Sequence, residues 1–308
     1  MLALLLSSFL TFVELNCENL FDTSHDSLKQ DTEYLPEAVR HWTRKRYWRK
    51  LNNISQELLS TCDDGVPDII ALCEIENDSV AIDLCRRTLL YNAGYKYIIT
   101  NSPDDRGIDV ALLYQPFSFC PDTSYSLRVE PLKDMRPTRD ILYVRGRDVS
   151  GDTLHVFVVH APSRYGGELY SRPFRMAVAE RLCQSLDSLH RLSPGANVLI
   201  AGDFNDSADG IMLKEIYNHG IYNLSRDAMG QNNVPGTYRY KGDWESIDHI
   251  LGSLSIKDRV DTVYIHSPRF LLEPEPLYGG YRPRRTYNGM KYQPGYSDHL
   301  PLVLRLHL

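Results

Sequence analysis

The sequence predicts one α/β domain over residues 1–308, built in stacked layers, and three observations carry that prediction. Short β-rich apolar runs recur along the chain. Stripes of apolar residues at helical spacing fall between them. No linker and no repeat of roughly 20 to 50 residues interrupts the alternation. With 43% hydrophobic and 24% charged residues, the chain is neither disordered nor collagenous nor a coiled coil.

The first expected strand, Phe9 to Leu15, emerges from a charge-free N-terminus, Met1 to Val13. This segment lacks a basic n-region and an AxA-like cleavage site, so its second half reads as strand. Residues 1–8 remain as a candidate signal remnant, and localisation stays open: secreted or periplasmic with it, cytoplasmic without it. Tyr47, Leu51, Ile54 and Leu58 share one helical face and predict the first helix. Strands are then expected over Asp68 to Cys73, Tyr95 to Thr100, Asp109 to Tyr114, Ile141 to Val144 and Leu154 to Val159. Several are apolar on both faces, as strands buried between layers are. A second helical stripe, Phe174, Val178, Leu182, Leu186 and Leu189, follows the start signal of Ser171 and Pro173. Asn197 to Ala201, Ile247 to Leu251, Val260 to Ile265 and Leu300 to Leu306 complete the strands. No apolar run reaches the ~20 residues of a membrane span.

The 34 Lys and Arg against 40 Asp and Glu leave a formal charge of -6, so the molecule as a whole repels polyanions. Nucleic-acid binding would need a metal or a local basic patch, and two stretches offer one. Arg40 to Lys50 sets Arg40, Arg44, Lys45, Arg46, Arg49 and Lys50 around Trp42, Tyr47 and Trp48. Tyr278 to Tyr296 interleaves Arg282, Arg284, Arg285 and Lys291 with four tyrosines, Tyr278, Tyr281, Tyr287 and Tyr292. Cations beside aromatic faces suit bases and phosphates; a solvated helix face and a packed loop explain the same composition. The cysteines, Cys17, Cys62, Cys73, Cys85, Cys120 and Cys183, are scattered without a CxxC pair and read as reduced thiols.

Chemistry concentrates where apolar strands end. In Asn197 to Asn205, NVLIAGDFN, a buried strand runs into Asp203 and Asn205; if the backbone stays extended, the two point the same way. A carboxylate there can orient or deprotonate water, and an amide can donate to a phosphoryl oxygen. A simple Asp and Asn turn would look the same. Asn16 and Glu18 repeat the spacing, and Asp68 to Glu74, DIIALCE, closes on an acid. Glu74, helped by Glu18, would suit Mg2+ or Mn2+, which prefer oxygen donors. His160 follows LHVFVV, and His299, beside Asp298, sits in SDHLPLVLRL. Asp248 could orient an imidazole, whereas His249, between two apolar residues, reads as a bystander. GxSxG, HExxH, P-loop and zinc-spacing motifs are absent.

In this order, NxE, the strand ending in Glu74, RGIDVALLY, HAPSR, GDFN, IDHI and SDHLPL, the chain resembles the endonuclease/exonuclease/phosphatase (DNase I-like) superfamily from about Asn16 to Leu306. ENLFD, CEIEND, RDILYVRG, GTYRYKG and RTYNGMKYQPGYSDHLP are similar to its bacterial branch related to extracellular nucleases. The resemblance implies a four-layer sandwich: two mostly antiparallel β-sheets face to face, helices outside, and the site at one rim. It puts the metal ligand on Glu74, with Asn16, Glu18 and Asp298 near the ion. It gives Asp203 the attacking water, Asn205 and His160 the phosphoryl oxygens, and Asp248 and His299 the acid and histidine pair. Arg106, Arg164 and Arg285 are the cations expected at substrate phosphate, though Arg164 is equally suited to a structural ion pair. Cys73 departs from the pattern, since many members carry Gln before the metal-binding Glu.

The resemblance thus implies a divalent-metal-dependent phosphoester hydrolase using in-line water attack, with a DNA or RNA phosphodiester as first expected substrate. The alternatives are a phosphatase or phospholipase C-like enzyme on a sugar, inositol or lipid headgroup, and a non-catalytic phosphate-binding module. No protein partner is implied. Cys73 beside the metal acid raises an oxidant-sensitive switch, against the plainer reading of a buried small hydrophobe.

Overall fold

A computed structural model describes residues 9–308, and residues 1–8, the candidate signal remnant, lie outside it. Along the chain, β1 (Phe9–Leu20) passes through α1 (Arg44–Leu59) to β2 (Ile69–Ile75), then through α2 (Asp78–Arg87) to β3 (Lys96–Ile99) and β4 (Asp109–Tyr114). β5 (Phe119–Leu127), β6 (Ile141–Asp148) and β7 (Thr153–His160) form a meander, and α3 (Glu168–Leu192) crosses to β8 (Asn197–Asp203). After α4 (Ile211–Tyr217) and β9 (Ile221–Asn223) come a hairpin of β10 (Tyr238–Tyr240) and β11 (Asp243–Glu245), then β12 (Asp248–Ser253), α5 (Leu254–Lys257) and β13 (Val260–Ile265). Two small hairpins, β14 (Leu272–Pro274) with β15 (Tyr281–Pro283) and β16 (Tyr287–Asn288) with β17 (Lys291–Tyr292), precede β18 (Leu302–His307).

Two six-stranded sheets result, ordered β13-β18-β1-β2-β4-β3 and β5-β6-β7-β8-β12-β9. Each is antiparallel except for one central pair, β1 with β2 and β7 with β8. A parallel neighbour needs a long crossover, and α1 and α3 supply it. Period-two alternation then sorts the side chains. Leu10, Phe12, Ile69 and Ala71 of one sheet meet Val156, Val158, Leu199 and Ala201 of the other in the central core. Val13, Leu15, Ile70 and Leu72 face outward onto Leu51, Ile54 and Leu58 of α1 and Leu84 of α2. Phe157, Val159, Val198 and Ile200 face Val178, Leu182 and Leu186 of α3. The expected four layers follow.

The structure departs from the expected elements where packing is thin. β5 is an edge strand, FCPDTSYSL, too polar to register as an apolar run, and α2 buries only a narrow stripe of Val80, Ala81, Leu84 and Cys85. The helix expected to start at Ser171 and Pro173 begins earlier, at Glu168, with Pro173 inside it.

Candidate active site

β7, β8 and β12 lie side by side, and their inward rows change from apolar to polar at one level. His160 is in register with Asp203, and Asp203 with Asp248; one step deeper stand Val158, Ala201 and Ile250. From the opposite sheet Asn16, paired with Cys73 across β1 and β2, reaches over to donate from Nδ2 to Asp203 Oδ2 at 3.1 Å. His160 Nε2 lies 3.7 Å from Asp203 Oδ2 and 3.8 Å from Glu74 Oε1. His299 Nδ1 is 2.8 Å from Asp248 Oδ2, which also accepts the Thr237 hydroxyl at 2.5 Å. The ring of Tyr238 packs on His299. His249 points outward, bonded to Asp206 O and Asn223, as a bystander should.

The expectation of extended backbone through the two-apart pairs is corrected. Glu18, Asn19, Glu74 and Asn205 all adopt positive φ, between 48° and 61°. The register shifts at the same level, between Asn16 and Leu20 and between Cys73 and Ile75. Bulges re-aim side chains at strand ends, and left-handed non-glycine residues cost energy that the surrounding hydrogen bonds must offset. Asn205 N–H donates to Asp203 Oδ1, and its Nδ2 donates to Ala161 O, so GDFN is a turn that still turns its amide toward the end of β7. Asn19 N–H donates to Glu74 Oε2 at 2.7 Å. At Gly202, φ is 143° and an added Cβ would lie 1.8 Å from Val159 O, so only glycine lets β8 run this close to β7.

Burial dominates the electrostatics. Burial first, then the Asp248 charge, pushes the Asp203 carboxyl up to about 7. Burial would lower His299, but the Asp248 carboxylate, joined by Asp298 and Asp203, offsets it and holds the ring well above its ordinary value, as imidazolium. His160 goes the other way: burial, with the Arg139 guanidinium behind it, keeps the ring neutral despite the two carboxylates nearby. Arg139 also ties the end of β7, donating to the carbonyls of His160 and Ala161. Deeper still, both carboxyl oxygens of Glu14 lack hydrogen-bond partners among the described residues, and burial, then Asp248, push that group well above the carboxylate range.

The remaining expected residues are present but engaged. Glu18 accepts from Thr286 N–H at 2.6 Å and from the buried Lys50, which also donates to Thr286 Oγ1. Asp298 pairs with Arg285, whose guanidinium holds it below its ordinary value although burial works against this. Arg285 is therefore clamped between carboxylates, and Arg164 is paired with Glu245 of β11. Arg106 lies 3.9 Å from Asp104 and 3.5 Å from Asn19 Oδ1, and is the most exposed of the three. Cys73 is fully buried, its thiol set on Val159 O and pushed far up by burial, which leaves the small-hydrophobe reading in place.

The two basic aromatic stretches pack on each other. Trp42 is 1% exposed and Lys50 1% exposed, the Arg46 guanidinium lies 4.2 Å from the Tyr292 ring, Tyr287 Oη donates to Arg40 O, and Arg282 is paired with Glu273 and Glu275. Part of their charge is thereby engaged, while Arg44, Lys45, Arg49 and Lys291 stay exposed. Sequence reasoning missed Lys50 as an internal cation, Thr237 as the brace of Asp248, Arg139, and Ser297, whose hydroxyl ties Asn16 O to His299 N–H. Only proximity to recognisable motifs marked these residues.

Among the described residues, Asp203, Asp248 and His299 each offer a ligand atom within 4.8 Å of the others, a possible cation-binding group. Glu74, like Asp203 and Asp248, has no Lys or Arg partner among the described residues. Oxygen donors of this kind fit a hard divalent cation.

No curated protein matches the chain. Its structure is similar to the endonuclease/exonuclease/phosphatase from Bacteroides vulgatus, with TM-score 0.63 and 14% identity over 97% of this chain and 99% of that one. It is similar also to a mannosyl-6-phosphatase of Bacteroides thetaiotaomicron, with TM-score 0.62 and 17% identity over 96% and 98%. The human Nocturnin catalytic domain gives 0.59 and 19% over 97% and 94%. These likenesses establish the shared fold. The sequence pattern of the Endonuclease/Exonuclease/phosphatase family spans residues 11–308, and the chain therefore belongs to that family of phosphoester hydrolases.

Proposed function

We propose that the chain hydrolyses small phosphoesters by in-line attack of water, with Mg2+ or Mn2+. The observation that carries the proposal is the meeting of Asp203, His160, Asp248, His299 and Glu74, from four strands and the loop before β18, at one end of the inter-sheet layer. Asp203, with a carboxyl poised near neutrality, positions the water and takes its proton. His299, kept protonated by Asp248, donates to a phosphoryl oxygen as charge builds, and neutral His160 and the Asn205 amide add uncharged donors. Glu74 leads the cation ligands, supported by Asn16, Glu18 and Asp298; a cation there would supply positive charge to the phosphoryl and leaving-group oxygens. Arg106 is the arginine best placed for substrate phosphate, because Arg164 and Arg285 are spent on carboxylates.

We set the small-substrate reading ahead of the DNA or RNA phosphodiester expected from the nuclease-branch resemblance and the basic stretches. It is supported by the engagement of the basic aromatic stretches with each other, and by a net charge of -6. The test is incubation with sugar and inositol phosphates, sphingomyelin, supercoiled plasmid and RNA, with and without EDTA. Turnover of small phosphoesters that EDTA abolishes is expected. Cleavage of plasmid or RNA, steeply weakened by salt and without turnover of monoesters, would overturn the substrate class. Binding of phosphorylated ligands with no hydrolysis at all would overturn the enzyme and leave a binding module.

A further inference from the structure

A cavity of about 180 Å3 opens beside the site, and Glu18 and Asp298 form part of its wall. Asn19, whose N–H holds Glu74, forms another part. A phosphoester seated at the site therefore has somewhere to place the group it will lose.

The cavity is small. It has room for about six waters and is smaller than the roughly 300–1,000 Å3 of drug-sized pockets. Its chemistry limits the group. Tyr34 and Tyr287 line it, but their faces are already covered: Phe21 stacks on Tyr34 at 4.2 Å, and the Arg40 guanidinium lies 5.3 Å from Tyr34 and 4.9 Å from Tyr287. No aromatic platform remains for a nucleobase. The cavity instead presents donors and acceptors in balance, the guanidinia of Arg40 and Arg285 against the carboxylates of Glu18 and Asp298. One set of donors is unspent. Arg40 Nε is bonded to Glu33 while its terminal amines have no hydrogen-bond partner among the described residues, whereas Arg285 is held by Glu18 and Asp298. Free donors on a half-buried wall call for acceptors from a ligand. A neutral group rich in hydroxyls satisfies both signs at once, whereas a second anion would meet the carboxylates and an apolar group would strand every polar wall.

We propose that this cavity is the leaving-group subsite and takes a sugar or polyol, with Arg40 hydrogen-bonding its hydroxyls. The inference rests on the small-phosphoester reading and goes beyond it by assigning the alcohol. Arg40 is a specificity residue, outside the reacting groups.

The test compares wild type with Arg40→Met, which removes the guanidinium and keeps an unbranched chain, and with Arg40→Lys. Substrates are glucose 6-phosphate, myo-inositol 1-phosphate and p-nitrophenyl phosphate, the last with no hydroxyl on its leaving group. For at least one of the two hydroxylated substrates, Arg40→Met should raise KM about tenfold or more, leaving its kcat and both constants for p-nitrophenyl phosphate within about twofold, and Arg40→Lys should recover part of the loss. Equal effects on all three substrates, or none, would overturn the subsite. Calorimetric binding of the two hydroxylated phosphates separates this failure from that of the hydrolase reading. Binding to wild type that Arg40→Met weakens about tenfold upholds the subsite even without turnover, and binding that the substitution leaves unchanged, or no binding, overturns it.

Discussion

Glu57, in α1, is fully buried, and neither of its carboxyl oxygens has a hydrogen-bond partner among the described residues. The nearby cation, Lys50, is turned instead to Glu18, Thr286 and Tyr296 at the edge of the site. Burial consequently pushes the Glu57 carboxyl from 4.5 to about 8, with Lys50 only partly opposing. A raised folded value means that the native state binds a proton the unfolded chain releases, so stability is fullest below pH 4.5 and declines as pH rises toward 8. At about 1.4 kcal/mol per pH unit, holding this proton at pH 7 costs about 3 kcal/mol, and under about 1 kcal/mol at pH 5. Glu57→Gln keeps the shape and the neutral charge without that cost. Urea unfolding of both proteins at pH 5, 6, 7 and 8 should give nearly equal stabilities at pH 5 and an advantage for the variant approaching about 3 kcal/mol at pH 7. Parallel profiles, or a variant less stable throughout, would refute the reasoning.

Replacing Asp248 with Asn removes the charge that keeps His299 protonated, and kcat should fall about 100-fold or more with folding retained; circular dichroism and turnover together check this. Because Asp203 must be ionised to take a proton and its carboxyl sits at about 7, the rate should fall as pH drops through that region. A profile flat from pH 5 to 8 would remove Asp203 from that role. Gly202→Ala should cost about 3 kcal/mol or more, read from its urea midpoint, because the new Cβ would overlap Val159 O. Native protein treated with a thiol reagent should be modified at exposed Cys120 and spared at buried Cys73, and peroxide should leave activity unchanged; rapid labelling of Cys73 would revive the oxidant-sensitive switch.

The layers and the polar strand ends are legible in the order of residues. Apolar alternation along β7, β8 and β12 needs no tertiary information to be seen, and where it stops at His160, Asp203 and Asp248 the polar residue inherits the inward direction of the row. The backbone turns at Glu18, Glu74 and Asn205 were hidden, because nothing local distinguishes an extended pair from a bulged one when neither residue is glycine. Tertiary structure alone decided which ends meet, as with Asn16 and Asp203, 187 positions apart. It also decided which cations are free. The composition of Arg40 to Lys50 and Tyr278 to Tyr296 reads as a surface for polyanions, yet Lys50 belongs to Glu18, Arg285 to Asp298 and Arg282 to Glu273 and Glu275. A residue's charge is written in its side chain, but whether that charge is available to a ligand depends on the partner that folding places within a few ångströms of it.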